Sequence, residues 1–237
     1  MILERRGEAR GRTRTDWLDS RHAFSFGQYH DPAWMGFGAL RVLNEDRVAP
    51  GGGFPMHGHA NMEIFSYVLD GALAHRDDAG VEGAVLGAGE LQWMGAGHGI
   101  RHGEANASAG APVHFLQAWI QPDRVNARPG WARRAFPAGD RVGRWTDLAS
   151  PDGAGGSLAM RQQAWLRGAL LAPGAGVART LAPDRRYWLQ VARGEAMVGD
   201  RRLVAGDALA FAGEGGELVL QAAGPGVADV LLFDLPG

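Results

Sequence analysis

The sequence predicts an all-β protein built from two antiparallel β-barrels. Three observations carry that expectation. Short segments rich in β-forming residues recur along the chain, separated by turn signals, as in a sandwich or barrel. The 37 glycines and 12 prolines make up about a fifth of the 237 residues, while apolar residues reach 46%. That is turn-rich but not the composition of a disordered chain. Finally, the second half echoes the first, as a duplicated unit would.

In chain order, Gly38–Asn44 reads as a strand and Val48–Phe54 as a turn or loop. Glu63–Leu69 is rich in β-formers, Asp70-Gly71 is a hairpin signal, and Ala72–Asp77 is the returning strand. Leu86–Met94 holds another turn and strand. Ala96–Gly99 is a turn before the Ile100–Ala105 strand, and Val113–Gln121 is a long strand. Pro122–Ser157, with its Gly and Pro clusters, reads as a connection. A second β region starts near Met160 and takes in Ala164–Leu171, Arg186–Val191, Glu195–Val198, Ala208–Phe211, Glu217–Gln221 and Asp229–Phe233. The expected division is residues 1–140 and 141–237.

The repeat is visible in two places. Tyr67–Ala74 (YVLDGALA) resembles Gln190–Met197 (QVARGEAM), and Leu86–Trp93 (LGAGELQW) resembles Leu203–Ala210 (LVAGDALA). The glycine-to-glycine spacing shortens between the halves, as a trimmed loop would make it do.

Composition removes several functions. Without cysteine there is no disulfide, thiolate nucleophile or Cys-based metal site. Without lysine there is no Schiff base. A net charge of −2 favours neither nucleic acid nor a membrane surface. No run approaches a spanning helix, and Met1–Trp17 lacks a signal-peptide core. The expectation is a cytoplasmic monomer. Five arginines among residues 5–14 alternate with Glu4 and Glu8, an exposed mixed-charge pattern.

Chemistry concentrates in two short clusters, His57-Gly58-His59 and His102-Gly103-Glu104. Residues i and i+2 of a strand share a face, so each cluster offers two side chains to one side of a sheet. Two such strands can set three imidazoles and one carboxylate around one metal ion, a donor set that suits Fe(II), Mn, Ni, Cu or Zn. No histidine follows His114, so the second half cannot hold a three-histidine site. By counting from the matched glycines, the positions of His57, His59 and His102 fall there on Thr180, Ala182 and Val219.

The spacing Gly51-x5-His57-x-His59-x3-Glu63 is similar to the first cupin motif, and Gly89-x5-Gly95-x-Gly97 followed by His102-x3-Asn106 to the second. Gly95 replaces the expected proline, and His102 lies two residues late, which preserves its face. These departures resemble the pirin family of bicupins, in particular its short bacterial members. So do Trp17–Gly27 (WLDSRHAFSFG), Phe37–Asp46 (FGALRVLNED), Met62–Ile64, Trp93 to Glu104, and Ala149–Gly153 (ASPDG). The resemblance implies a bicupin of two jelly-roll barrels with the metal in the first. Its ligands would be His57, His59, His102 and Glu104, holding one divalent transition metal. Fe(II) comes first, with Mn, Cu, Ni, Co or Zn accommodated. It also implies a flavonol (quercetin) 2,3-dioxygenase using O2, with Glu104 as ligand and base. The alternative is a metal- or redox-sensing regulator acting through a protein partner, as iron-binding members act in transcription.

Glu63 is the competing carboxylate. It follows His59 by four residues, one fewer than is common in cupins, and strand parity then turns it to the other face. It is read as structural. His98 is read as a solvated turn residue and His114 as a satisfied strand residue, while His22, His30 and His75 have no assigned role. Phe54, Met56, Trp93 and Met94 flank the ligands and are candidate walls for a planar aromatic substrate.

Overall fold

The computed structural model describes residues 1–237. The protein is an all-β bicupin whose chain divides into two compact units. One comprises Gly11–Ala135 with Met160–Gln162, and the other Met1–Arg10, Phe136–Ala159 and Gln163–Gly237.

Each unit is a pair of antiparallel-rich sheets with the core between them. In the first, a seven-stranded sheet runs Gly130–Ala135, Glu90–Gly95, Glu63–Asp70, Val113–Ile120, Leu40–Val48, Leu18–His22, Gly11–Arg14. Facing it, a four-stranded sheet runs Gly53–His59, Ile100–Asn106, Ala72–Asp77, Ala84–Gly87. Strand alternation decides what enters the barrel. Leu18, Val48, Val68, Val113 and Phe115 of the larger sheet meet Leu73 and Leu86 of the smaller in one buried cluster.

Above that apolar floor lies a polar row. His22 is opposite Asn44, Asn44 opposite Gln117, Gln117 opposite Ser66, and Ser66 opposite Gln92. Five neighbouring strands therefore each turn one polar side chain inward at the same level, and all five are buried. Polar groups are kept inside a barrel only when something there satisfies them.

The second unit repeats the plan. Its larger sheet runs Ile2–Arg5, Ala208–Ala212, Arg185–Arg193, Ala228–Pro236, Trp165–Leu171, Thr146–Ser150, Leu158–Ala159. Its smaller sheet runs Gly176–Leu181, Gly216–Ala222, Glu195–Val198, Arg201–Val204. The interior here is apolar, with Leu189, Val191, Leu209, Val230 and Leu232 packed on Leu181, Leu203, Leu218 and Leu220.

The Arg-rich start differs from its expected place at the head of the first domain. Ile2–Arg5 pairs with Ala208–Ala212 as an edge strand of the second unit. Arg6 is held 2.9 Å from Asp207, whose Oδ1 also accepts from the Gly7 amide. Backbone pairing and that ion pair override the mixed-charge pattern.

Candidate metal centre

Three strands of the smaller sheet assemble the site. Gly53–His59 pairs with Ile100–Asn106 so that His57 faces His102 and His59 faces Ile100. The register then shifts, and Glu104 lies opposite Phe54. That bulge re-aims the end of the ligand strand without flipping its inward face. On the other flank, Ala72–Asp77 sets His75 opposite Glu104.

The three histidines converge. Ring centroids are 4.6 Å apart for His57 and His102, 4.7 Å for His57 and His59, and 5.0 Å for His59 and His102. One ring nitrogen from each lies within 4.8 Å of the others. His57 Nδ1 is 2.8 Å from the Pro55 carbonyl oxygen, which can only accept. Nδ1 therefore carries the proton and Nε2 the free lone pair, the usual way a ligating imidazole is oriented. His59 Nε2 and both nitrogens of His102 are buried with no hydrogen-bond partner.

Electrostatics point the same way. Burial, then the neighbouring His57, His59 and His75, hold His102 down to about 2. Burial, then His57, holds His59 down to about 4. Both rings are thus neutral at physiological pH, each offering one lone pair, and neither His59 Nε2 nor either nitrogen of His102 has a protein partner. Such buried, unsatisfied nitrogens are costly unless a cation takes the lone pairs. The donor set fits a transition-metal ion.

Glu104 is held differently. Its Oε1 accepts from Ser66 Oγ at 2.9 Å and Gln92 Nε2 at 2.6 Å, and its Oε2 from Gln117 Nε2 at 2.6 Å. The two amides cannot turn round. Trp131 Nε1–H donates to Gln92 Oε1 at 3.1 Å, and Trp119 Nε1–H to Gln117 Oε1 at 3.0 Å. An indole N–H only donates, so each glutamine must present its NH2 to Glu104. The polar row of the barrel is therefore a cradle built for an acceptor. Burial nonetheless pushes the Glu104 carboxyl up, against the downward pull of Ser66, His75 and Gln117. A nearby cation would favour its ionised form. Its carboxylate lies within 4.8 Å of His102 and His75, and His102 also belongs to the three-histidine group.

His75 is the residue sequence reasoning passed over. It is 1% exposed, with Nε2 3.1 Å from Asp77 Oδ2 and its ring stacked on Trp131 at 5.6 Å. Its Nδ1 has no partner. The His75-Arg76-Asp77 alternation on a strand was the available signal. Glu63 stands apart from both groups. It accepts from Trp93 Nε1 at 2.7 Å and from the Arg161 amide at 2.9 Å, and so ties Met160–Gln162 to its unit. His114 meets Glu45 at 2.9 Å, and His98 is an exposed turn residue.

A cavity of about 660 Å³ opens beside the histidines. His57, His59, Glu104 and Gln117 line it, with Phe26, Phe54 and Trp119 as apolar walls. Of the four candidate walls named from sequence, Phe54 lines it and the others lie elsewhere. Met94 is 1% exposed and packs with Ile64, Ala96 and Ile100. Its neighbour Trp93 faces the opposite side of the strand, where it bonds Glu63 and lies under the Arg161 guanidinium. Met56 borders a separate depression beside Arg76 and Val81. Adjacent strand residues cannot share a face, so sequence proximity to the ligands was a poor guide.

Residues 5–120 match the family model Pirin, and residues 148–235 match Quercetinase C-terminal cupin domain. The chain is 40% identical over 237 residues to the quercetin 2,3-dioxygenase of Escherichia coli K12, covering 100% of this chain and 99% of that protein. The chain belongs to the pirin family. A Pirin-like protein of Caulobacter vibrioides is 43% identical over 193 residues, 81% of this chain and 82% of that one. Among solved structures, the Escherichia coli bacterial pirin YhhW in complex with nickel(II) superposes with a TM-score of 0.92 at 38% identity, covering 100% of this chain and 99% of the other.

The two barrels of this pirin-family chain can be compared position by position through strand register. With Gly71 set on Gly194, Leu73 pairs with Asn106 as Ala196 pairs with Ala222. His102 and Glu104 then correspond to Leu218 and Leu220. Arg179 pairs with Leu218 as His57 pairs with His102, and Leu181 pairs with Gly216 as His59 pairs with Ile100. The counterparts are thus Arg179, Leu181, Leu218 and Leu220. Counting along the sequence misses them by one, because Thr180 and Val219 are exposed and face out. In the second barrel, core leucines occupy three of the four positions.

Proposed function

We propose that this protein is a metal-dependent dioxygenase that opens the central ring of a flavonol such as quercetin with O2 and releases CO. The observation that carries the reading is the set of three converging imidazoles, two of which, His57 and His59, line a large, mostly apolar cavity. His57, His59 and His102 would hold one divalent metal, with Glu104 as the fourth side chain. The name of the Escherichia coli relative supports the substrate class, and the nickel(II) complex of YhhW supports a single first-row metal. Fe(II) is the working assignment, because neutral imidazoles with one carboxylate suit it and leave room for substrate.

When bound, the metal supplies Lewis acidity to an enolic oxygen and an electron path to O2. The chain's own residues do the rest. Phe26, Phe54 and Trp119 bury flat rings and keep water from them. Ser66, Gln92 and Gln117 fix Glu104 and leave Oε2 with a free lone pair. That oxygen would take the proton of the flavonol 3-hydroxyl as general base.

The test follows quercetin loss together with CO release in air, in protein carrying about one Fe(II), Mn(II) or Ni(II) per chain. Metal-dependent CO release, abolished in His102→Ala, is the expected result. A fully metallated protein that turns over no flavonol would remove the substrate assignment and leave the metal site standing.

A further inference from the structure

The cavity holds a second buried carboxylate that the reading above does not use. Asp46 lies on the larger sheet, opposite Ser20 in register, and turns into the barrel one level below Asn44. It is 2% exposed. Its Oδ1 is buried and has no hydrogen-bond partner. The histidines and Glu104 stand on the smaller sheet, so the two sheets each bring polar oxygen or nitrogen to the same cavity, with aromatic walls between.

An unpaired carboxylate oxygen inside a barrel is expensive, and native interiors seldom leave one. Most polar residues of this barrel are accounted for. Ser66, Gln92 and Gln117 serve Glu104, and His22 bonds Asn44 and Thr13 at 2.9 Å each. Asp46 Oδ1 is the carboxylate oxygen left over, and it belongs to a residue that borders the ligand space. A carboxylate oxygen between apolar walls selects a donor carried on a flat, apolar frame. A phenolic hydroxyl meets that description.

We propose that Asp46 is the specificity residue of this cavity: its Oδ1 accepts a hydrogen bond from a phenolic hydroxyl of a planar ligand whose other oxygens face the histidines. The proposal rests on the flavonol reading and sharpens it. The site takes a polyhydroxylated aromatic and discriminates against an analogue that lacks the remote hydroxyl. Sites built to bond a hydroxyl reject the ligand without it, because the buried partner is then left bare.

The experiment measures anaerobic binding of two flavonols to metal-loaded protein by absorbance titration. 3-Hydroxyflavone carries only the hydroxyl and carbonyl of the central ring, and quercetin adds hydroxyls on both outer rings. Wild type is expected to bind quercetin about tenfold tighter or better. In Asp46→Ala that ratio should fall toward one, with 3-hydroxyflavone affinity changed little. In Asp46→Asn, which keeps an acceptor oxygen and the side-chain volume, part of the preference should return. Metal content and melting temperature establish that each variant is folded, and Asp46→Ser replaces Asp46→Ala should the latter fail. A ratio unchanged in Asp46→Ala overturns the assignment while 3-hydroxyflavone binding keeps the flavonol reading alive. Binding of neither flavonol to wild type removes the flavonol reading and this proposal with it.

Discussion

At the scale of single residues, Glu104 and Asp46 are two buried carboxylates with opposite surroundings. Glu104 has three donors, and Trp119 and Trp131 lock the orientation of the two amides among them. Glu104→Gln would place an amide NH2 against a glutamine NH2 that can only donate, costing about 1–3 kcal/mol of stability. The histidine nitrogens would be unaffected. The variant should keep most of its metal and lose turnover, read by metal analysis beside CO release; full activity would sink the base role. Asp46 has the Ser20 hydroxyl but no partner at Oδ1, and burial pushes its carboxyl up to about 7, against the pull of Ser20. A raised acid binds its proton more tightly when folded, so its contribution is fully present below the unfolded value near 3.8 and is lost as pH rises through about 7. Asp46→Asn removes that dependence. Denaturant melts of the metal-free proteins should show the variant gaining on wild type from pH 4 to 7, by an amount on the order of a few kcal/mol. A constant difference across that range would mean the carboxyl is already satisfied.

At the scale of elements, the site depends on two strands lying close at a bulge. A Cβ on Gly53 would sit 2.7 Å from the Glu104 carbonyl oxygen and 2.7 Å from Ala105 Cβ. Gly53→Ala must therefore push the Gly53–His59 strand away from Ile100–Asn106. A loss of about 1–3 kcal/mol is expected, as for other overpacked positions, together with weaker metal binding. Gly110→Ala is the control, since its Cβ would meet nothing within 4 Å. Melting temperatures and metal titrations of the pair check this; equal behaviour would show that the strand spacing is not tight. This scale also marks the limit of what could be read from sequence. His57, His59 and His102 were legible because strand parity is a local rule and their clusters sit at recognisable spacing. The cradle of Ser66, Gln92 and Gln117 was not, because it exists only once five strands are in register. The Ile2–Arg5 strand was illegible for the same reason, as its partner lies at the far end of the chain. Trp93 and Met94 misled because nearness in sequence to a ligand does not choose a face.

At the scale of the whole molecule, duplication has produced two barrels of one topology with different interiors. The barrel with histidines carries unpaired nitrogens where its twin carries core leucines. This makes a reciprocal substitution informative. His102 has both ring nitrogens buried without a partner, and Leu218 fills the matching place in a dry cluster. If His102 exists for a metal, it costs the metal-free barrel stability, and His102→Leu should relieve that cost while adding apolar contact. Metal-free His102→Leu is therefore expected to melt at or above the wild-type temperature. Wild type should gain stability as metal is added, by about 2.7 kcal/mol at a hundred times the dissociation constant, and the variant should gain almost nothing. The reverse change, Leu218→His, places an unpaired imidazole among Leu181, Leu203 and Leu220 with a single arginine at the neighbouring ligand position. It should lower the melting temperature and leave the metal count at one per chain. A metal-free His102→Leu that melts several degrees below wild type would mean that protein groups, not a metal, satisfy this histidine. The division of labour between the barrels would then need another cause.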